Sequence, residues 1–228
     1  MQPELSRRAI IFGHTSGLGL ALARQLTTLS YEVIGVARSS VDALGASIIQ
    51  IAADLATEDD VHMTVRRIQE EYSAFDALIY TAGALTAHEI EHLEYADLDY
   101  LYRINVFAPM VIESSLFDLI KTNGADVVNV TSSSVHEFYP KFAEYATSKA
   151  AFAKFTSDLQ RQLKDSSARV TDLCPSGFTS NMYARMFGQQ IPRDESVQIR
   201  VEDLADLVCF ILKLPKRIEV TQIHINRK

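Results

Sequence analysis

Strand-like and helix-like segments alternate along almost the whole chain, and that order leaves few architectures open. Ala9 to Phe12 is a short, continuously apolar run closed by glycine, which suits a strand buried on both faces of a parallel sheet. Leu18 to Leu29 comes next, with Leu18, Ala21, Leu22, Gln25, Leu26 and Leu29 at helical spacing. Further strands are predicted over Tyr31 to Val36, Ser47 to Ala52, Asp76 to Tyr80, Asp126 to Thr131, Arg169 to Leu173 and Glu219 to Ile225. Helices are predicted over Glu58 to Tyr72, Tyr95 to Lys121, Phe142 to Lys164 and Val201 to Leu212. Pro109 should kink the second of these, and Asn123-Gly124 should end it. Ala37 to Ala46 is close to the minimum for a right-handed crossover, so any helix there is about one turn, around Val41 to Leu44. No linker, repeat or low-complexity stretch interrupts the pattern. The fold class is therefore α/β: residues 1–228 as a single domain, a doubly wound, mostly parallel sheet with helices on both faces.

Several functions are disfavoured at this point. The net charge of -7 argues against a general nucleic-acid binder, which needs a basic surface to displace counterions, though not against a local pocket for one phosphate. Cys174 and Cys209 belong to no CxxC pair, and two thiols alone build neither a metal nor a disulfide framework; they read as buried free thiols of a reducing compartment. Met1 to Arg8 is short and polar, without a signal-peptide apolar region. No run of about 18 apolar residues occurs, so no membrane span is expected and the cytoplasm is the default location.

In a doubly wound sheet, ligands gather beyond the carboxyl ends of the strands. After the first strand comes Gly13-His14-Thr15-Ser16-Gly17-Leu18-Gly19 and then helix. Backbone N–H groups and the helix dipole at such a turn favour an anion, and the glycines admit a pyrophosphate closely; the plainer reading is a tight, glycine-rich cap. Its place between first strand and first helix points to a Rossmann-type dinucleotide site. The second strand ends Val36-Ala37-Arg38-Ser39, without the acid that would bind a ribose 2′-OH and repel a 2′-phosphate. The Arg38 guanidinium suits that phosphate, with Ser39 and Thr15 as hydroxyl donors, so NADP(H) is favoured over NAD(H) unless Arg38 is only a solvated charge.

Tyr145 and Lys149 stand one helical turn apart on one face. A phenol titrates near about 10, and a nearby cation favours the phenolate. Such a tyrosine gives a proton to a carbonyl oxygen, or takes one from an alcohol, as hydride moves at carbon. Upstream, the fifth strand ends in Thr131-Ser132-Ser133-Ser134. A serine there can hydrogen-bond a substrate oxygen, or merely end a strand in a turn.

With these residues in order, the chain resembles the short-chain dehydrogenase/reductase family over essentially its whole length. The family's Gly-x-x-x-Gly-x-Gly matches Gly13, Gly17 and Gly19, and its Tyr-x-x-x-Lys matches Tyr145 and Lys149. Its serine, thirteen residues before the tyrosine, is Ser132; its asparagine is Asn105, within Arg103-Ile104-Asn105-Val106; its acid after the third strand is Asp54, beside Leu55. The resemblance implies Tyr145 as general acid/base, Lys149 on the nicotinamide ribose, Ser132 polarising the carbonyl and Asn105 holding a water of a proton relay. It implies cofactor contacts from Thr15, Ser16, Leu18, Ala82 and Gly83, and from Pro175, Gly177, Phe178 and Ser180 near the carboxamide. It also implies a homodimer or homotetramer through the helices at Tyr95 to Lys121 and Phe142 to Lys164.

Three places depart from the family pattern: Phe12 for a threonine, Tyr80-Thr81-Ala82-Gly83 for Asn-Asn-Ala-Gly, and Pro175-Ser176 for Pro-Gly, with Gly177 one place later. The first two bear on loop bracing and the third on carboxamide contacts. The substrate loop should span about 176–198, with Met182, Tyr183, Met186 and Phe187, and Phe138, Tyr139 and His136 are candidates for the pocket. His88-Glu89-Ile90-Glu91-His92 fits a zinc-hydrolase pattern, but no third ligand is evident and its charges read as a solvated face, so no metal is expected. The expected activity is reversible reduction of a small ketone or aldehyde by NADPH. The alternative is a catalytically silent NADP(H)-sensing or interaction protein on the same fold.

Overall fold

The computed structural model describes residues 7–42, 48–179, 182 and 199–228. Seven strands form one parallel sheet in the order β3-β2-β1-β4-β5-β6-β7. They are β1 (Arg8–Phe12), β2 (Glu32–Ala37), β3 (Ile48–Ala52), β4 (Ala77–Tyr80), β5 (Asp126–Val130), β6 (Arg169–Pro175) and β7 (Gln222–Ile225). The order reverses between β1 and β4, the switch point where a doubly wound sheet opens a crevice. β7 starts later than predicted: the Val170 N–H goes to the Glu219 carboxylate and not to a backbone carbonyl, so the ladder does not extend back to Glu219.

Helices cover both faces: α1 (Gly17–Thr28), α2 (Glu58–Glu71), α3 (Tyr95–Tyr102), α4 (Ala108–Ser115), α5 (Phe117–Asn123), α6 (Ala143–Leu163) and α7 (Val201–Lys213). Alternate strand residues divide between two cores. Ile10 and Phe12 of β1 join the side chains of α2, α4 and α6, whereas Ala9 and Ile11 join those of α1 and α7. A parallel sheet covered in this way needs strands apolar on both faces, which is what the continuous runs in β1, β4 and β5 provide.

The helix predicted over Tyr95 to Lys121 is broken into three. A π turn spans Arg103–Phe107, with the Ala108 N–H reaching back to the Arg103 carbonyl. Pro109 comes next, in the first turn of α4, and has no N–H to give. In the π register its partner would have been the Ile104 carbonyl. The Tyr80 phenol donates to that carbonyl instead, at 2.7 Å. Pro109 therefore shifts the register of the helix, with Tyr80 supplying the missing donor. The predicted turn at Val41 to Leu44 lies mostly outside the described residues.

Candidate active site

Gly13, Thr15, Ser16, Gly17, Leu18 and Gly19 line a cleft of about 510 Å³ at the switch point. Arg38 and Ser39 from the end of β2, Asp54 and Leu55 after β3, Ala82 and Gly83 after β4, and Phe178 after β6 complete its predicted walls. Gly13 has φ +94, and a Cβ there would stand 2.7 Å from the Ala82 nitrogen. A Cβ at Gly19 would meet the Gly13 carbonyl oxygen at 2.2 Å, so α1 starts hard against the end of β1. The first turn of α1 carries no acid, which leaves the positive end of its dipole open to an anion. Met182, expected on the substrate loop, lines the same cleft, as do Thr81, Tyr100, Ile104 and Val130, which were not expected. Thr81 and Val130 adjoin strand ends and were within reach of the sequence rule, whereas Tyr100 and Ile104 come in through the broken helix. Pro175 and Gly177 do not line the cleft; Ser180, Tyr183, Met186 and Phe187 lie outside the described residues.

Tyr145 and Lys149 both project from the first two turns of α6. The Ser132 side chain lies close enough to the Tyr145 phenol to favour its ionised form. The Ser132 hydroxyl is itself fixed by the Ser134 N–H, at 3.2 Å. The Lys149 ammonium donates to the Val130 carbonyl at 2.9 Å and lies 5.9 Å from the centre of the Tyr145 ring. Asn105 is fully buried and bonded in three directions. Its Oδ1 accepts from the Ala84 N–H at 2.8 Å, and its Nδ2 donates to the Ala84 carbonyl and to the Ser148 hydroxyl, each at 3.0 Å. Ser148 in turn donates to the Tyr145 carbonyl at 2.7 Å. Asn105 thus clamps the β4 loop to the helix that carries Tyr145. The cleft meets this group at Gly83, where a Cβ would stand 3.5 Å from Asn105 Oδ1 and 3.6 Å from Lys149 Nζ.

Burial pushes the Tyr145 phenol up to about 12, against a smaller lowering by the Ser132 side chain. Burial also pulls Lys149 down to about 8, while the charges of Asp172 and Cys174 act to raise it. This differs from the expectation that Lys149 draws the phenol down. Lys149 stands 5.9 Å from the ring centre, and the loss of solvent around the phenol is what dominates its ionisation. The resting phenol is a proton donor across the neutral range.

The departures from the family pattern compensate one another. Phe12 and Tyr80 are register partners on β1 and β4, and their rings stack with centres 5.7 Å apart. Tyr80 also meets Phe152 of α6 edge-on at 5.7 Å. The Thr81 hydroxyl donates to the Phe12 carbonyl at 2.8 Å, bracing the loop that Phe12 was expected to weaken. Ser176 accepts from the Arg227 N–H at 3.2 Å and gives its own N–H to the Ile225 carbonyl, so it anchors the end of β7. His88 and His92 share no helix face, since only Ile90–His92 turns, as a single 3-10 turn. His88 is held by Glu144 at 2.9 Å and Asp97 at 3.5 Å. Phe138 is 88% exposed, and neither it nor Tyr139 lines the cleft.

Sequence and structure comparisons agree with this architecture. The family described as short chain dehydrogenase matches residues 7–190. Dehydrogenase/reductase SDR family member 11 of Homo sapiens is 23% identical, covering 99% of this chain and 96% of the human protein. Sulfoacetaldehyde reductase 2 of Chromohalobacter salexigens is 27% identical over 97% of this chain and 94% of its own. An alcohol dehydrogenase from Thermococcus sibiricus, solved with 5-hydroxy-NADP, superposes with a TM-score of 0.85 at 21% identity, covering 97% of this chain and 96% of that one. The chain belongs to the short-chain dehydrogenase/reductase family of oxidoreductases. Among the described residues no helix is long and apolar enough to cross a membrane.

Proposed function

We propose that the chain is an NADP(H)-dependent oxidoreductase interconverting a ketone or aldehyde and an alcohol, with Tyr145 as general acid/base. The observation that carries this reading is the placing of Tyr145 one helical turn from Lys149 on α6, with Lys149 and Asn105 bordering Gly83 in the cleft. The residues present fit a nicotinamide dinucleotide: a twelve-residue helix with an acid-free first turn faces the cleft, and Arg38 stands where an acid would exclude a 2′-phosphate. When bound, that cofactor supplies or accepts hydride at the substrate carbon. The chain does the rest. The N-terminal amides of α1 hold the pyrophosphate; Arg38, Ser39 and Thr15 hold the 2′-phosphate; Asp54 and Leu55 border the adenine. Lys149 holds the nicotinamide ribose, and Phe178 borders the carboxamide side. Ser132 hydrogen-bonds the carbonyl oxygen, and Tyr145, protonated in the resting site, gives that oxygen its proton. Asn105 keeps the β4 loop and α6 in register. The names of two relatives, an aldehyde reductase and an alcohol dehydrogenase solved with an NADP analogue, support this class of substrate and cofactor. A cytoplasmic homo-oligomer is part of the same proposal.

NADPH consumption against a panel of carbonyl compounds tests it. Tyr145→Phe should lose about 10²- to 10⁴-fold in kcat/KM, the usual worth of a general acid. Equal turnover by variant and parent overturns the mechanism. Tight NADPH binding with no carbonyl consumed would favour the sensing protein instead. Arg38→Asp should abolish a preference for NADPH over NADH in a binding titration, and an unchanged preference removes Arg38 from the phosphate site.

A further inference from the structure

Three strand ends that lie side by side bring together a thiol and two imidazoles. Cys174 and His224 are register partners on β6 and β7, and partners on adjoining strands of a sheet project to the same face. His136 comes just after the 3-10 turn Ser133–Val135 at the end of β5, the neighbour of β6 on its other side. The two imidazole rings meet with centres 4.7 Å apart, and one nitrogen of each ring and the Cys174 Sγ all lie within 4.8 Å of one another. We propose that His136, Cys174 and His224 bind a zinc-class divalent cation.

The donor set selects the metal. Two imidazoles and a thiolate, without a carboxylate, suit a borderline-soft ion and not magnesium or calcium, which take oxygen. Zinc holds imidazole nitrogen at about 2.0–2.1 Å and thiolate at about 2.3 Å, so tetrahedral donors stand roughly 3.3–3.6 Å apart. The ligand atoms must close by about an ångström, and both histidines are exposed, while Cys174 is buried beneath them. Three protein ligands leave the fourth place for water. The Thr131 hydroxyl lies 3.0 Å from Sγ, and the Gln222 amide approaches it at 3.5 Å. Asp172 orients both, accepting from Thr131 at 2.5 Å and from Gln222 at 2.9 Å. Of these, the Gln222 N–H is the outer partner that faces the ligand sulfur as a donor. On binding, the S–H bond breaks, the sulfur's electron pair forms the metal–sulfur bond and the proton leaves to solvent. None of the three ligands lines the dinucleotide cleft, although the Cys174 sulfur is near enough to Lys149 to act on its charge.

The test uses the full chain. Zinc is titrated in competition with a chromophoric chelator, and cobalt(II) is loaded in its place for absorption spectroscopy. The expected result is one zinc per chain and a thiolate-to-cobalt charge-transfer band, absent in Cys174→Ser and retained in Cys209→Ser. His136→Ala and His224→Ala, both at exposed positions, should each weaken binding beyond the roughly 10- to 100-fold that an outer-shell loss costs. Zinc retained equally by Cys174→Ser or by the double histidine variant overturns the proposal. So does a cobalt spectrum without the thiolate band, or loss of zinc in His92→Ala.

Discussion

Lys149 is the residue in the proposed catalytic cluster whose charge is most exposed to change. Burial holds it at about 8, and the nearby carboxylate of Asp172 acts in the opposite direction. Tyr145, at about 12, stays protonated well beyond that point. Raising pH through about 8 therefore removes the Lys149 charge before it touches the phenol. The alkaline limb of kcat/KM for carbonyl reduction should fall near pH 8. Asp172→Asn should move that limb to lower pH, because the proton on Lys149 loses its neighbouring anion. A pH–rate profile measures it, and a limb that stays in place would uncouple the two residues. The part played by Asp172 was not legible in the sequence. Tyr145 and Lys149 advertise themselves through helical spacing, and the glycine loop through its place after β1. Asn105 and Ser132 needed the resemblance to a family. Asp172 lies on β6, next to Cys174 in the chain by one intervening residue, and no local pattern links it to α6. The same holds for His136, Cys174 and His224, which only strand order and register bring together.

At the scale of elements, the alternation of strands and helices was read nearly as it stands, because apolar periodicity is a local signal. The broken helix between β4 and β5 was read as one kinked helix. A π turn has no periodicity of its own, and the donor that supports this one comes from Tyr80 on another element. Phe12 and Tyr80 looked like two independent departures and proved to be one stacked pair. Tyr80→Phe should keep the stack and lose only the bond to the Ile104 carbonyl, costing about 1–3 kcal/mol for a buried acceptor left open. Urea denaturation reads the loss. Because Ile104 adjoins Asn105, kcat should fall with KM for NADPH little changed. A variant as active and as stable as the parent would show that Pro109 sets the turn without help.

Across the whole molecule the two edges of the sheet divide the work. The carboxyl edge carries the cleft, Ser132 and the proposed metal ligands. The amino edge is tied by Arg169, which is buried and pairs with Asp126 at 2.8 Å through both Nε and Nη2. Its Nη1 also donates to the carbonyls of Leu214 and Ile218, closing the end of α7, and Lys216 reaches the same Asp126 at 2.7 Å. Arg169→Met should cost about 3–5 kcal/mol, since it strips a buried carboxylate of its main partner. The loss shows as a lower Tm, with kcat of the folded fraction unchanged. A large fall in kcat at unchanged Tm would mean that the two edges are mechanically linked.

The π turn at Arg103–Phe107 also has a meaning in hereditary terms. A π turn is an α-helix carrying one surplus residue. Losing a single codon there would restore an ordinary helix and rotate α3 by about 100° relative to α4. The Asn105 amide would no longer face both Ala84 and Ser148, yet the sheet, the glycine loop and the Tyr145–Lys149 pair would be untouched. If Asn105 acts as proposed, a lineage keeps the glycine loop and the Tyr145–Lys149 pair and falls silent through one in-frame deletion.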